Sequence, residues 1–108
     1  TGTPLGDRAE AVAIRTVFGA RSDKVAVSST KGQLGHLLGA SGGVESAFCV
    51  RAIETQIAPP TANLEAADDG CDLNFVQGAA RDMPIRVAMK NSFAFGGHNA
   101  CLIYAAPN

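Results

Sequence analysis

Lys31-Gly32-Gln33-Leu34-Gly35-His36-Leu37-Leu38-Gly39-Ala40-Ser41-Gly42-Gly43-Val44-Glu45-Ser46-Ala47-Phe48-Cys49-Val50 is the stretch on which the reading of this chain turns. From His36 to Val50 the only ionisable groups are His36, Glu45 and the thiol of Cys49. Leu37, Leu38, Val44, Phe48 and Val50 spread around a helical wheel instead of forming one stripe. That pattern predicts a helix from His36 to Gln56 that is buried on most sides. Gly39, Gly42 and Gly43 each cost helix propensity, roughly 1 kcal/mol per interior position. A neighbour packed close against that face is the expected compensation, and 108 residues are too few to surround such a helix.

Upstream, Lys24-Val25-Ala26-Val27-Ser28-Ser29 alternates apolar and small residues and reads as a short strand. The segment Lys31 to His36 therefore lies between a strand and a helix, where open sheets place ligand sites. At the start of the helix His36 meets the positive end of the dipole, which disfavours imidazolium and leaves a neutral ring able to hydrogen-bond a carbonyl or enolate oxygen. The alternative on the local pattern is a polar cap residue. Glu45, nine residues on, needs a partner or a proton if buried. Lys31 is the nearest cation in sequence logic; a structural ion pair, or a carboxylate reaching the surface, are the plainer readings.

The first helix is expected to open at Asp7, with Asp7 and Glu10 forming a capping box and Ala11, Ile14 and Phe18 on the apolar side. Gly19 supplies its stop. Pro59-Pro60 ends the long helix and starts an extended connection through Asn63 and Leu64. After the acidic turn Asp68-Asp69-Gly70, Leu73 and Phe75 suggest a short strand. Two further strands, Ile85 to Ser92 and Asn99 to Tyr104, are joined around Gly96-Gly97. The order of elements defines an α/β fold with a mixed sheet and a buried helix. Asn91-Ser92-Phe93-Ala94-Phe95-Gly96-Gly97-His98-Asn99 forms the connecting turn. Its glycines allow backbone N–H groups to approach a ligand, and its two Phe rings can wall an apolar tunnel. A hairpin turn with core aromatics is the alternative, and His98 reads as a turn residue.

Composition narrows the classes. The chain is 46% hydrophobic and 18% charged with net charge −1, the balance of a globular chain. Its Lys and Arg residues are scattered, which argues against nucleic acid, and no apolar run of about 18 residues argues for a membrane span. Cys49, Cys71 and Cys101 are odd in number and widely spaced, so a disulfide framework or zinc site is not expected. They read as structural thiols in a reducing compartment. No phosphate-binding glycine motif is present.

Taken in order, Thr1-Gly2-Thr3-Pro4-Leu5-Gly6-Asp7, Ser28-Ser29-Thr30-Lys31 through Gly35-His36-Leu37-Leu38-Gly39-Ala40, Pro59-Pro60-Thr61 and Asn91-Ser92-Phe93-Ala94-Phe95-Gly96-Gly97 resemble the β-ketoacyl-carrier-protein synthases, most closely the elongating type II enzymes. The resemblance covers nearly all of 1–108. It implies the second half of a thiolase-like fold, with residues 1–108 forming a C-terminal domain truncated on its N-terminal side. It also implies a decarboxylative Claisen condensation of malonyl-ACP with an acyl-enzyme thioester in fatty-acid elongation.

In that scheme His36 stabilises the enolate and Lys31 organises it. Phe95 gates the acyl pocket and offers its N–H to the oxyanion hole, and Phe93 belongs to the pocket wall. Thr1 and Thr3 bind phosphopantetheine. Glu45 and Asn91 match ligands of a structural monovalent cation in some members; no other cofactor is implied. The nucleophilic Cys lies in an absent N-terminal half, and none of the three cysteines here matches it. The chain alone is therefore expected to be inactive. Acyl carrier protein, the missing half and a homodimer mate are the implied partners, and bacterial cytoplasm or an organelle matrix the implied compartment. Alternatives are a ketosynthase piece of a polyketide synthase and a non-catalytic half-domain or chain-length-factor-like subunit; retention of Lys31 and His36 counts against the last.

Overall fold

The computed structural model describes residues 1–108. Its first helix, α1 (Pro4–Phe18), begins one turn earlier than Asp7. Thr3 is the cap: its hydroxyl accepts from the Gly6 N–H at 3.2 Å, and Pro4 starts the helix with φ already set. Asp7 lies in the first turn, where its charge suits the dipole, and accepts from the Gly2 N–H at 3.1 Å. Glu10 does not reach back to a cap; its carboxylate accepts from Asn91 Nδ2 at 3.4 Å. Ala11 and Ile14 are buried as the spacing predicts, and Gly19 ends the helix at φ 53°.

The expected strand at Lys24–Ser29 is not part of a ladder. After the 3-10 turn Gly19–Lys24, Val27 makes a single parallel bridge to Phe75. A second parallel bridge joins Thr61 to Gln77. Val76, fully buried, lies between these bridges; its N–H donates to the Val27 carbonyl, and its carbonyl accepts from the Thr61 N–H.

The predicted helix from His36 to Gln56 is realised as an α-helix only from Ser41 onward. A four-residue helix α2 (Lys31–Leu34) closes on Gly35 at φ 75°, and a 3-10 turn Leu38–Ala40 leads into α3 (Ser41–Thr55). The positive φ of Leu38, 51°, breaks the helical path ahead of Ser41, while Gly42 and Gly43 lie inside α3 without interrupting it. Only Ser41 of α3 is buried, and the remaining residues are half-buried or exposed. The apolar groups all around this helix thus lack the neighbours its composition calls for.

Strands β1 (Ile57–Ala58) and β2 (Arg81–Asp82) form a short antiparallel pair that the sequence reading missed. Strands β3 (Val87–Ala94) and β4 (His98–Ala105) form the predicted hairpin, in register from Val87 opposite Ala105 to Ala94 opposite His98. The pairing is thus mixed in kind: two separate antiparallel ladders and two isolated parallel bridges. Helix α3 packs on β3 and, at its end, on β1. The arrangement is α/β, and no helix is long and apolar enough to cross a membrane.

Candidate active site

His36 stands in the exposed connection between α2 and the 3-10 turn, five residues ahead of Ser41, and not in the first turn of α3. The helix dipole is therefore not what fixes its ring. Two local groups do so. The Leu38 N–H donates to Nδ1 at 2.9 Å, made possible by Leu38 at φ 51°, and the Ser41 hydroxyl lies 3.4 Å from the same nitrogen. A backbone N–H aimed at Nδ1 requires that nitrogen to be the acceptor, so the proton of the neutral ring resides on Nε2. The Ser41 hydroxyl also accepts from the Leu37 N–H at 2.9 Å, holding the loop against the start of α3. The result is an exposed imidazole whose Nε2–H is the outward donor.

Lys31 opens α2 and sends its ammonium to Glu45 Oε1, an ion pair and hydrogen bond. The expected pairing of Lys31 with Glu45 is present, and the direct polar partners of His36 are Leu38 and Ser41. The approach of α2 to the chain beyond Pro60 depends on Gly32: a Cβ there would sit 2.5 Å from the Ala62 carbonyl oxygen. Asn63 Nδ2 bonds the Gly32 carbonyl at 3.4 Å from the other side.

Lys90 was missed by sequence reasoning, because it sits where strand alternation offered no reason to expect a buried charge. It is 8% exposed, and its ammonium lies 3.4 Å from Glu45 Oε2 and donates to the Ser92 hydroxyl. Glu45 is therefore held between two lysines, one on each carboxylate oxygen. Gly42 lies close by: a Cβ there would be in ordinary van der Waals contact with the Lys90 ammonium, at 3.5 Å.

Asn91 is the next residue on β3, and adjacent strand side chains point to opposite faces. Its amide reaches Glu10 on α1, while Lys90 and Ser92 face Glu45. Glu45 and Asn91 thus do not converge as side-chain ligands, and the residues around Glu45 do not fit a bound monovalent cation.

Phe95 lies in the turn Phe95–Gly97, 91% exposed, with Gly96 and Gly97 at φ 76° and 77°. Phe93 and Thr1 line the same open cleft of about 330 Å³ between α1 and the hairpin, together with Gly6, Ala9, Glu10, Ala13 and Asn99. The Thr3 hydroxyl caps α1 and lies 3.1 Å from that of Thr1. His36, Lys31 and Phe95 are not in that cleft.

The three cysteines occupy separate elements. Cys71 is buried, Cys101 is on the exposed side of β4, and Cys49 is half-buried on α3. Burial pushes the Cys49 thiol above its ordinary value; the Lys90 charge opposes this and Glu45 adds to it. For Cys49 that direction is opposite to the lowered pKa that marks a catalytic thiolate.

The α/β fold thus sets an exposed histidine, its Nδ1 engaged by Leu38 and Ser41, on the loop that follows the helix whose Lys31 pairs with Glu45. The family model described as "Beta-ketoacyl synthase, C-terminal domain" matches residues 1–65, and the chain belongs to that family. It is 52% identical over 103 residues to the 3-oxoacyl-[acyl-carrier-protein] synthase 2 of Coxiella burnetii, covering 95% of this chain and 25% of the relative. Among solved structures, the ishigamide ketosynthase/chain length factor superimposes with a TM-score of 0.94 at 35% identity, over 100% of this chain and 26% of that one. A type II PKS acyl-carrier protein in complex with its ketosynthase bound to the hexaketide gives 0.88 at 31% identity, over 92% of this chain and 24% of that one. The chain spans about a quarter of the length of the curated relatives it matches.

Proposed function

We propose that this chain is the C-terminal portion of a β-ketoacyl-ACP synthase that elongates fatty acyl chains by decarboxylative Claisen condensation. The observation that carries the reading is His36 with its Nε2–H presented outward by the Leu38 N–H on Nδ1. In the proposed reaction the bond between the malonyl α-carbon and its carboxylate breaks and carbon dioxide leaves. The electron pair passes onto the thioester oxygen as an enolate. The His36 Nε2–H donates to that oxygen where the negative charge develops, so the hydrogen bond strengthens in the transition state. The α-carbon then attacks the acyl carbon of an acyl-cysteine on the missing N-terminal half, and the cysteine leaves as thiolate.

Lys31 acts in this scheme through Glu45, anchoring α2 and with it the loop that carries His36. Thr1 and Thr3 take the phosphopantetheine arm, and Phe93 lines the acyl path entered from the same cleft. Phe95 gates that path, with its N–H in the oxyanion hole. Acyl carrier protein delivers both substrates, and the complete polypeptide works as a homodimer. Support for fatty-acid over polyketide elongation comes from the 52% identity to a 3-oxoacyl-ACP synthase against 35% and 31% to the polyketide-related structures.

The test is condensation by the complete polypeptide, with malonyl-ACP and a saturated acyl-ACP as substrates and product mass as readout. Formation of 3-oxoacyl-ACP is expected. Failure to condense, with acyl-ACP or an N-terminal partner merely bound, would support the non-catalytic half-domain instead.

A further inference from the structure

We infer that Lys90 is a built-in cation that takes the place of a bound alkali ion at Glu45, making this synthase independent of sodium and potassium. Glu45 has two carboxylate oxygens; Lys31 occupies one and Lys90 the other, the latter at 3.4 Å. One negative charge thus lies between two positive ones, and a third cation entering there meets net repulsion in a part-buried setting where screening is weak.

The geometry closes the site as well. The Ser92 hydroxyl, a neutral oxygen suited to a hard cation, already accepts from the Lys90 ammonium. Asn91 is turned to the opposite face of β3, where it bonds Glu10. A Cβ added at Gly42 would stand 3.5 Å from the ammonium, so the start of α3 leaves little more than a methyl group's room beside it. An ammonium on a four-carbon stem therefore fills the space, the charge and the oxygen contacts that a monovalent ion would otherwise supply. Burying Lys90 at 8% exposure is tolerable because both partners meet it there.

A tethered cation has no concentration dependence, whereas a bound one stabilises the fold in proportion to the logarithm of its concentration. The test uses the complete synthase polypeptide, melted in choline, sodium and potassium chloride at equal ionic strength. The wild type is expected to melt at one temperature in all three salts, to within about 1 °C. A rise of about 2 °C or more in sodium or potassium over choline would overturn the inference.

Lys90→Ala frees Glu45 Oε2 and the Ser92 hydroxyl and opens a space. It is expected to melt lower in choline and to recover several degrees in potassium or sodium. Lys90→Met fills the space without charge and is expected to stay low in every salt. A folded Lys90→Ala with no salt-specific recovery would also overturn the inference. Should Lys90→Ala not fold, thallous ion soaked into wild-type crystals decides: no anomalous peak beside Glu45 is expected, and a peak bridging Glu45 would refute the tethered cation. None of these readouts depends on condensing activity, so they stand apart from the proposed reaction.

Discussion

On the face of β3 that meets α3, Lys90 and Ser92 join Glu45 and Lys31 in a cluster in which every ammonium has a carboxylate partner. On the other face, Val87 and Met89 stand 59% and 40% exposed. A soluble fold ordinarily does the reverse, burying the apolar side of a strand and wetting the charged one. Here the chain completes its polar interior by itself and leaves apolar surfaces open. Leu5, Val12 and Val17 on α1, Leu102 and Ile103 on β4, and Phe95 at the hairpin turn are likewise exposed. Polar groups need their partners at short range and in fixed geometry, so they are satisfied locally. Apolar groups need only area, and area can come from the three quarters of the relatives' length that this chain lacks.

The largest effect is expected from breaking the polar side. Glu45→Ala removes the shared carboxylate and leaves two lysines facing each other, one of them buried. Loss of one partner from such a pair costs about 3–5 kcal/mol, to be read in urea unfolding of the complete polypeptide. An effect below about 1 kcal/mol would place the cluster among ordinary surface ion pairs. Next comes Gly32→Ala. Its Cβ would overlap the Ala62 carbonyl, so α2 must move away from the connection after Pro60. Overpacking of this kind costs about 1–3 kcal/mol, and the displacement of α2 would also lower activity through His36.

The apolar side is probed by taking the rest of the protein away. Isolated 1–108 is expected to self-associate and bind a hydrophobic dye, without a sharp cooperative melt. A monomer with a single steep transition would show that the open faces need no cover. Within the isolated chain, Phe95→Ala should leave the far-UV circular dichroism spectrum unchanged, because the ring is 91% exposed and touches little. In the complete enzyme the same substitution should alter acyl transfer.

The smallest effect concerns Cys49. Burial raises its pKa above the ordinary 9.0, so the folded state holds the proton more tightly than the unfolded one. Stability from this group is therefore full below pH 9.0 and declines as pH rises beyond it. Thiol alkylation of the complete polypeptide near pH 8 should accordingly spare Cys49.

Much of this was legible in the sequence where local chemistry decides. The β3–β4 hairpin, the stop at Gly19, the buried pair Ala11 and Ile14 and the Lys31–Glu45 pairing all follow from spacing and charge. The start of α1 was placed too late because Asp7 and Glu10 mimic a capping box, while Thr3-Pro4 is an equally good signal. The late start of α3 was hidden because it turns on the positive φ of Leu38, while Gly42 and Gly43 are accommodated within the helix. The tautomer of His36 depends on the positive φ of Leu38, which a leucine does not announce. Lys90 was overlooked for a related reason: alternation along the strand does not say which face is buried, and only the packing of α3 on β3 reveals which face carries the charge.

The central claim rests on the Nε2–H of His36, and His36→Asn in the complete polypeptide tests it most directly. An asparagine oxygen can accept from the Leu38 N–H in place of Nδ1, preserving the loop, but it offers nothing at the Nε2 position. Malonyl-ACP decarboxylation should fall about 100- to 1,000-fold with the melting temperature unchanged. Decarboxylation at the wild-type rate would contradict the assignment of His36 and, with it, this account of the site.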